Sequence, residues 1–172
     1  MHTDSPNSPL VAVKRNIIIK APQAAVFTFA ADLRNDARWR QEVHSTVLDA
    51  AAPAPGVVAT EDAFLSAKRP HSLTQLVYEA YEPAQLMRCQ TPADSPHWMR
   101  VERRFRALDA GSTEFSYELQ FEQKLVREAL GFAPPLWFLR WYSGWMMGKY
   151  QKKLKGILEA DSTPAASMLQ PA

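Results

Sequence analysis

The chain is poor in cysteine and glycine, has no real surplus of either charge, and contains no apolar run long enough to cross a bilayer. Its single cysteine, Cys89, excludes an internal disulfide and a cysteine-rich zinc site and fits a reducing compartment. Lys and Arg number 20 against 18 Asp and Glu, and the formal charge of +2 is too small for a duplex-binding surface. Nucleic acid is therefore not an expected partner. No Gly-rich phosphate loop, Gly-x-Ser-x-Gly elbow or His-Glu-x-x-His occurs, which removes the common enzyme signatures. His2, His44, His71 and His97 lie far apart without close cysteine or carboxylate company, so no metal site is expected unless the fold gathers them, and no cofactor is implied. Residues 1–6 lack the basic and apolar regions of a secretion signal, which makes a cytoplasmic location the expectation. Phe132–Gly148 is too short, and is broken by Arg140, to span a membrane.

What remains is an ordinary globular composition, 47% hydrophobic and 22% charged over 172 residues, suited to one domain. Residues 1–9 and 161–172 are polar and Pro-bearing and read as flexible tails around a folded part at 10–160. Val11–Ile19 is β-branched and reads as a strand. A helix follows Pro22, and a short second one, capped by Asn35 or Asp36, carries Trp39. Five strand-like runs come next, at 43–49, 57–66, 72–82, 85–91 and 97–108, with Ala50–Gly56 as a loop. A sixth, Thr113–Gln123, alternates Phe115, Tyr117, Leu119 and Phe121 with polar residues, the pattern of a half-buried antiparallel strand. Pro134-Pro135 opens a helix reaching about Ala160. Grouped strands with helices at two places indicate α+β with an antiparallel sheet.

Several of these segments carry a family resemblance. Ile17–Pro22 followed by Val26-Phe27, Asp32, Asn35 and Arg38-Trp39 resembles the opening of START-like proteins, also called SRPBCC or polyketide cyclase/dehydrase-like. Tyr81-Glu82-Pro83 resembles their mid-sheet turn, and Gly111-Ser112-Thr113 leading to Phe115 and Tyr117 resembles their last hairpin. The chain departs from the family at Pro83-Ala84, where the proline is often doubled, and at Ser112, where glycine is common. The resemblance covers about 11–160. It implies a helix-grip fold: a curved sheet of about seven strands wrapped round the C-terminal helix, with two short helices after the first strand and an apolar cavity between sheet and helix. It implies no catalytic residues, because the family shares a container and no common reaction.

Candidate lining of that cavity comes from the sheet and the last helix. Met99, Val101, Phe105 and Ala107 share a strand face, which places Arg103 among them. A buried guanidinium needs a carboxylate, a ligand or water, so Arg103 is either an anchor for an oxygen-rich ligand group or half of an ion pair, with Glu79 and Glu118 as partners, unless a bulge turns it outward. Tyr78, Phe115 and Tyr117 face the same space. On the helix, Leu136, Leu139, Ser143, Met146, Tyr150, Leu154 and Ile157 form a stripe toward the sheet, with Ser143, Met146 and Tyr150 at mid-cavity. Trp137, Trp141 and Trp145 recur on nearly the opposite side, near Lys149 and Lys152. Their cover is the 51–56 loop, Leu125–Phe132 or a tail; a partner chain in a homodimer; or a membrane surface, where tryptophan sits at headgroup level and lysine meets anionic lipid. Gly144 and Gly148 suggest close approach of a neighbouring backbone.

The implied function is binding, and in one version transfer, of a hydrophobic small molecule such as a lipid, quinone or polyketide. The alternative is a cyclase or dehydratase using the same cavity. The near-neutral charge disfavours the RNA-associated role of some relatives.

Overall fold

In the computed structural model, residues 8–162 are described, so most of the expected tails at 1–9 and 161–172 lie outside the described residues. Seven strands form one sheet: β1 (Leu10–Ile19), β2 (Val43–Leu48), β3 (Val58–Ala63), β4 (Ser72–Glu82), β5 (Leu86–Gln90), β6 (Met99–Asp109) and β7 (Ser112–Glu122). Every neighbouring pair is antiparallel, in the order β1-β7-β6-β5-β4-β3-β2. The chain thus runs as a meander from β2 to β7, and β7 closes on β1. Helix α1 (Gln23–Ala30) and a 3-10 helix (Leu33–Arg38) connect β1 to β2; α2 (Gln123–Leu130) and α3 (Leu136–Asp161) complete the chain. This is the helix-grip arrangement.

The alternation in β7 is realised: Phe115, Tyr117 and Phe121 are buried, while Glu114, Ser116, Glu118 and Gln120 face outward with intermediate exposure. β6 and β5 repeat the pattern, and their outward residues form ion pairs across strands, such as Arg88–Glu102 at 2.7 Å. A bulge between Tyr78 and Ala80 shifts the register of β4.

The second helix after β1 begins elsewhere than expected. Asp32 caps it, accepting a hydrogen bond from the Arg34 amide at 3.0 Å, and this frees Asp36 to turn inward. Helix α2 lies in a stretch that showed no apolar run; it ends on Gly131, whose φ of +85° suits a left-handed cap.

α3 makes its closest approach to the sheet at β1. Its buried side is Leu139, Gly144, Met147, Tyr150, Gln151, Leu154 and Leu158, rotated from the expected stripe so that Met147 replaces Met146 and Leu158 replaces Ile157. Ser143 and Met146 are half-buried at the edge. The first half of α3 is apolar on every side, so periodicity alone did not fix which side is covered. Gly144 meets β1, its Cβ position lying 3.6 Å from Val13, but a Cβ at Gly148 would meet nothing within 4 Å, which corrects the expectation of a close backbone approach there.

Candidate functional site

A charged cluster sits inside the sheet's concave face. The turn set by Asp32 aims the carboxylate of Asp36 at β6, where both terminal nitrogens of Arg103 donate to it at 2.8 and 2.6 Å. Arg103 Nη1 also donates to the Ala30 carbonyl at 2.7 Å, and its guanidinium lies between the Trp39 and Tyr117 rings, 4.8 and 4.9 Å from their centres. The partner of Arg103 is therefore Asp36, not Glu79 or Glu118; Glu79 instead pairs with Arg100 on the outer face and Glu118 with Lys14. No bulge turns Arg103 outward, and it is fully buried.

Arg40 extends the cluster. It reaches Asp36 at 3.0 Å, Glu61 of β3 at 2.9 Å and Glu42 at 2.8 Å. Two guanidiniums thus face three carboxyls, all buried except Glu42 at the partly exposed edge, and the electrostatic consequences are specific. Arg103 and Arg40 are held charged: burial works against them, but Asp36 for the first and Glu61 for the second outweigh it. Glu61 is pushed above the usual carboxylate range, first by burial; Arg40 opposes the shift, but Asp36 and Glu42 lie close enough to repel its charge. From α3, Tyr150 turns its hydroxyl toward Glu42, and burial followed by that carboxylate raises its pKa.

Three buried atoms around this cluster that can donate a hydrogen bond have no partner among the described residues: Trp39 Nε1, Thr46 Oγ1 and Arg103 Nε. Thr46 is the cross-strand neighbour of Glu61, and Trp39 stacks on Arg103, so the three belong to one region. Buried polar atoms rarely stay unpaired, and here each calls for water or a ligand atom.

The expected cavity lining is only partly assembled. Tyr78, Arg103, Phe105, Phe115 and Tyr117 do converge, but they pack on one another; Phe105 and Phe115 rings lie 5.4 Å apart. Tyr78 spends its hydroxyl on the backbone, accepting from the Leu33 amide at 3.0 Å and donating to the Ala31 carbonyl at 3.2 Å. Met99, Ser143 and Met146 remain half-buried toward the rim. A polar dimple of about 60 Å³, walled by Arg100, Glu102, Glu118 and Gln120, lies on the opposite, outer face. In this conformation the rings of Phe105, Phe115 and Tyr117 occupy part of the space expected to be open. Asp36, Trp39, Arg40 and Glu61 were not anticipated as site residues. One signal was available: Glu61 interrupts the inward face Ala59-x-Glu61-x-Ala63, just as Arg103 interrupts that of β6.

The tryptophan face of α3 is largely exposed among the described residues. Trp137 is 70% exposed, Trp141 61% and Trp145 45%, so neither the 51–56 loop nor Leu125–Phe132 packs over them. Phe138 and Tyr142 join them in a continuous aromatic band, stacked at 6.1 Å, and Lys149 Nζ lies 3.6 Å above the Trp145 ring. No helix among the described residues is long and apolar enough to cross a membrane.

Fold and cluster together define a START-like, helix-grip protein. The fold is similar to a START superfamily protein from Mycobacterium smegmatis, with a TM-score of 0.67, 15% identity and 87% and 97% of the two chains covered. It is also similar to the ZhuI aromatase/cyclase from Streptomyces sp. R1128 (TM-score 0.64, 15% identity, 92% and 99% covered) and to a protein from Thermus thermophilus (TM-score 0.64, 18% identity, 88% and 99% covered). Comparison with curated proteins finds no match. The chain belongs to the polyketide cyclase / dehydrase and lipid transport family, whose model matches residues 11–157.

Proposed function

We propose that this protein binds a hydrophobic small molecule that carries an oxygen-bearing end, such as a lipid, quinone or polyketide, between the sheet and α3. The observation that carries this reading is the group of unpartnered buried donors, Trp39 Nε1, Arg103 Nε and Thr46 Oγ1, beside the buried charged cluster. A polar headgroup satisfies them while the tail replaces apolar side-chain contacts. Family membership supports the same reading. Organic extraction of the purified protein, followed by mass spectrometry, should recover a bound lipid, quinone or polyketide. Repeated recovery of nothing, together with no thermal shift on adding such compounds, would overturn it.

A cyclase or dehydratase has one observation in its favour. Glu61 is a carboxyl kept above its usual range beside two guanidiniums, which suits proton transfer to or from a chain folded against the cluster. Turnover of a polyketide-type chain that is lost in Glu61→Gln while binding persists would select the enzyme.

Delivery is assigned to an anionic membrane surface. Residues 136–158 contain Arg140, Lys149, Lys152, Lys153 and Lys155 and no acidic residue, beside the aromatic band, which matches anionic headgroups over an apolar boundary. Flotation with vesicles containing phosphatidylglycerol should exceed flotation with phosphatidylcholine alone, and Trp141→Ala/Trp145→Ala should lose it. Sedimentation as a homodimer that the same variant converts to monomer would replace the membrane by a second copy.

A further inference from the structure

Away from the interior, the fold gathers three residues that lie far apart in the sequence. His44, Asp62 and His71 stand side by side on the outer face of the β2–β3–β4 meander. His44 falls within the register irregularity between Val43 and Ser45, and such a bulge turns its extra side chain out of the ladder; His44 and Ser45 are both exposed, while Val43 and Thr46 are buried. Ser45 faces Asp62 across β2–β3, and Asp62 faces Leu73 across β3–β4. His71 immediately precedes β4, so strands β2 and β3 and the loop leading into β4 each contribute one residue.

The contacts are close. His71 Nδ1 lies 2.9 Å from Asp62 Oδ2, the His44 and His71 ring centres are 4.7 Å apart, and one donor atom from each residue falls within 4.8 Å of the others. Asp62 Oδ1 is buried and has no hydrogen-bond partner among the described residues, which leaves a carboxylate oxygen short of a donor or a cation. His44 Nε2 lies 3.0 Å from the Pro70 carbonyl, so the loop that delivers His71 also holds the other ring.

We propose that His44, Asp62 and His71 form a binding site for a divalent transition-metal ion of the zinc class. Two imidazoles and one carboxylate are the donor set that zinc and its neighbours prefer, whereas magnesium and calcium favour oxygen ligands throughout. Donors around a tetrahedral zinc ion stand about 3.3 Å apart, so the present spread closes by rotation of exposed imidazole rings, with strand positions unchanged. Solvent or a ligand atom takes the fourth position. The site lies on the sheet face opposite the buried cluster and stands whether or not the interior takes a ligand.

Titration of the full chain, free of any histidine tag, with Zn²⁺ in a calorimeter should show one ion per chain, and Co²⁺ should develop the visible absorption of a tetrahedral site. His71→Ala and Asp62→Asn should each weaken Zn²⁺ binding at least tenfold, and His44→Ala/His71→Ala should abolish it. Both histidines are exposed and Asp62 is partly so, so the variants should keep the parent's circular dichroism; should His71→Ala fail to fold, His71→Gln carries the same expectation. Absence of stoichiometric binding, undiminished binding in the double variant, or Mg²⁺ competing as an equal would each overturn the assignment.

Discussion

Arg103 is taken out of water completely, and what replaces water is unequal on its different sides. Asp36 takes two hydrogen bonds, the Ala30 carbonyl one, and two aromatic faces cover the guanidinium plane. Breaking a buried pair costs about 3–5 kcal/mol, because the survivor keeps its charge without its partner. The survivors differ here. Arg103→Met leaves Asp36 still paired with Arg40, whereas Asp36→Asn leaves Arg103 with neutral amide oxygens and ring faces in place of its anionic partner. Urea unfolding should therefore show Asp36→Asn as the more costly of the two. Glu61 yields a second expectation. Its native pKa lies above the unfolded value, so its contribution to stability is complete below the ordinary carboxylate pKa, about 4.3, and is lost as pH rises through its native pKa. Unfolding in that window releases a proton, and Glu61→Gln should release less, which potentiometry during denaturation measures. Of this cluster only Arg103 was read from the sequence, because it breaks an apolar alternation, although Glu61 breaks the shorter inward face of β3 in the same way. Asp36 sits in a turn, where an acidic residue is ordinary, and nothing local announces a partner 67 positions away.

The strands were legible because each buries one face, and a period of two survives in the sequence whenever that holds. Helix α2 was not, since Gln123–Leu130 covers little apolar surface: Ala129 is its one buried residue. The rotation of α3 was hidden for the opposite reason, apolar residues on all sides of its first half. Two backbone positions show where local preference and structure disagree. Ala84 adopts a φ of +61° between β4 and β5, where a side chain is disfavoured by roughly 1–2 kcal/mol. Gly156 lies within α3 with open space where a Cβ would stand, although glycine costs about 1 kcal/mol against alanine in a helix. Ala84→Gly and Gly156→Ala should each raise the thermal midpoint, by about 2–4 °C per kcal/mol in a domain of this size. A fall in either case would mean that the position is held by something other than backbone preference.

At the scale of the molecule, a closed interior and a ligand-binding function are compatible only if the fold opens, and the attachment of α3 indicates where. Its second half is tied to β1 by hydrogen bonds: Gln151 donates to the Arg15 carbonyl at 2.9 Å, Lys155 to that of Ile18 at 2.6 Å, and Glu159 accepts from the Lys20 amide at 2.7 Å. No such bond to the sheet is made by Leu136–Gly148 among the described residues, and this half carries the exposed aromatic band. Residues 131–135, Gly-Phe-Ala-Pro-Pro, link it to α2 outside any helix. Segments with few buried contacts open at lower free energy than the core. Opening is therefore expected at the N-terminal half of α3, pivoting on the half bonded to β1, where it would uncover Met147 and the interior beneath it. Hydrogen exchange read by mass spectrometry should show amides of 139–148 exchanging well ahead of those of 150–158, with a bound hydrophobic ligand slowing the first group more than the second. Equal exchange along the whole helix would place the entrance elsewhere, and slower exchange in the aromatic half would reverse the order of opening.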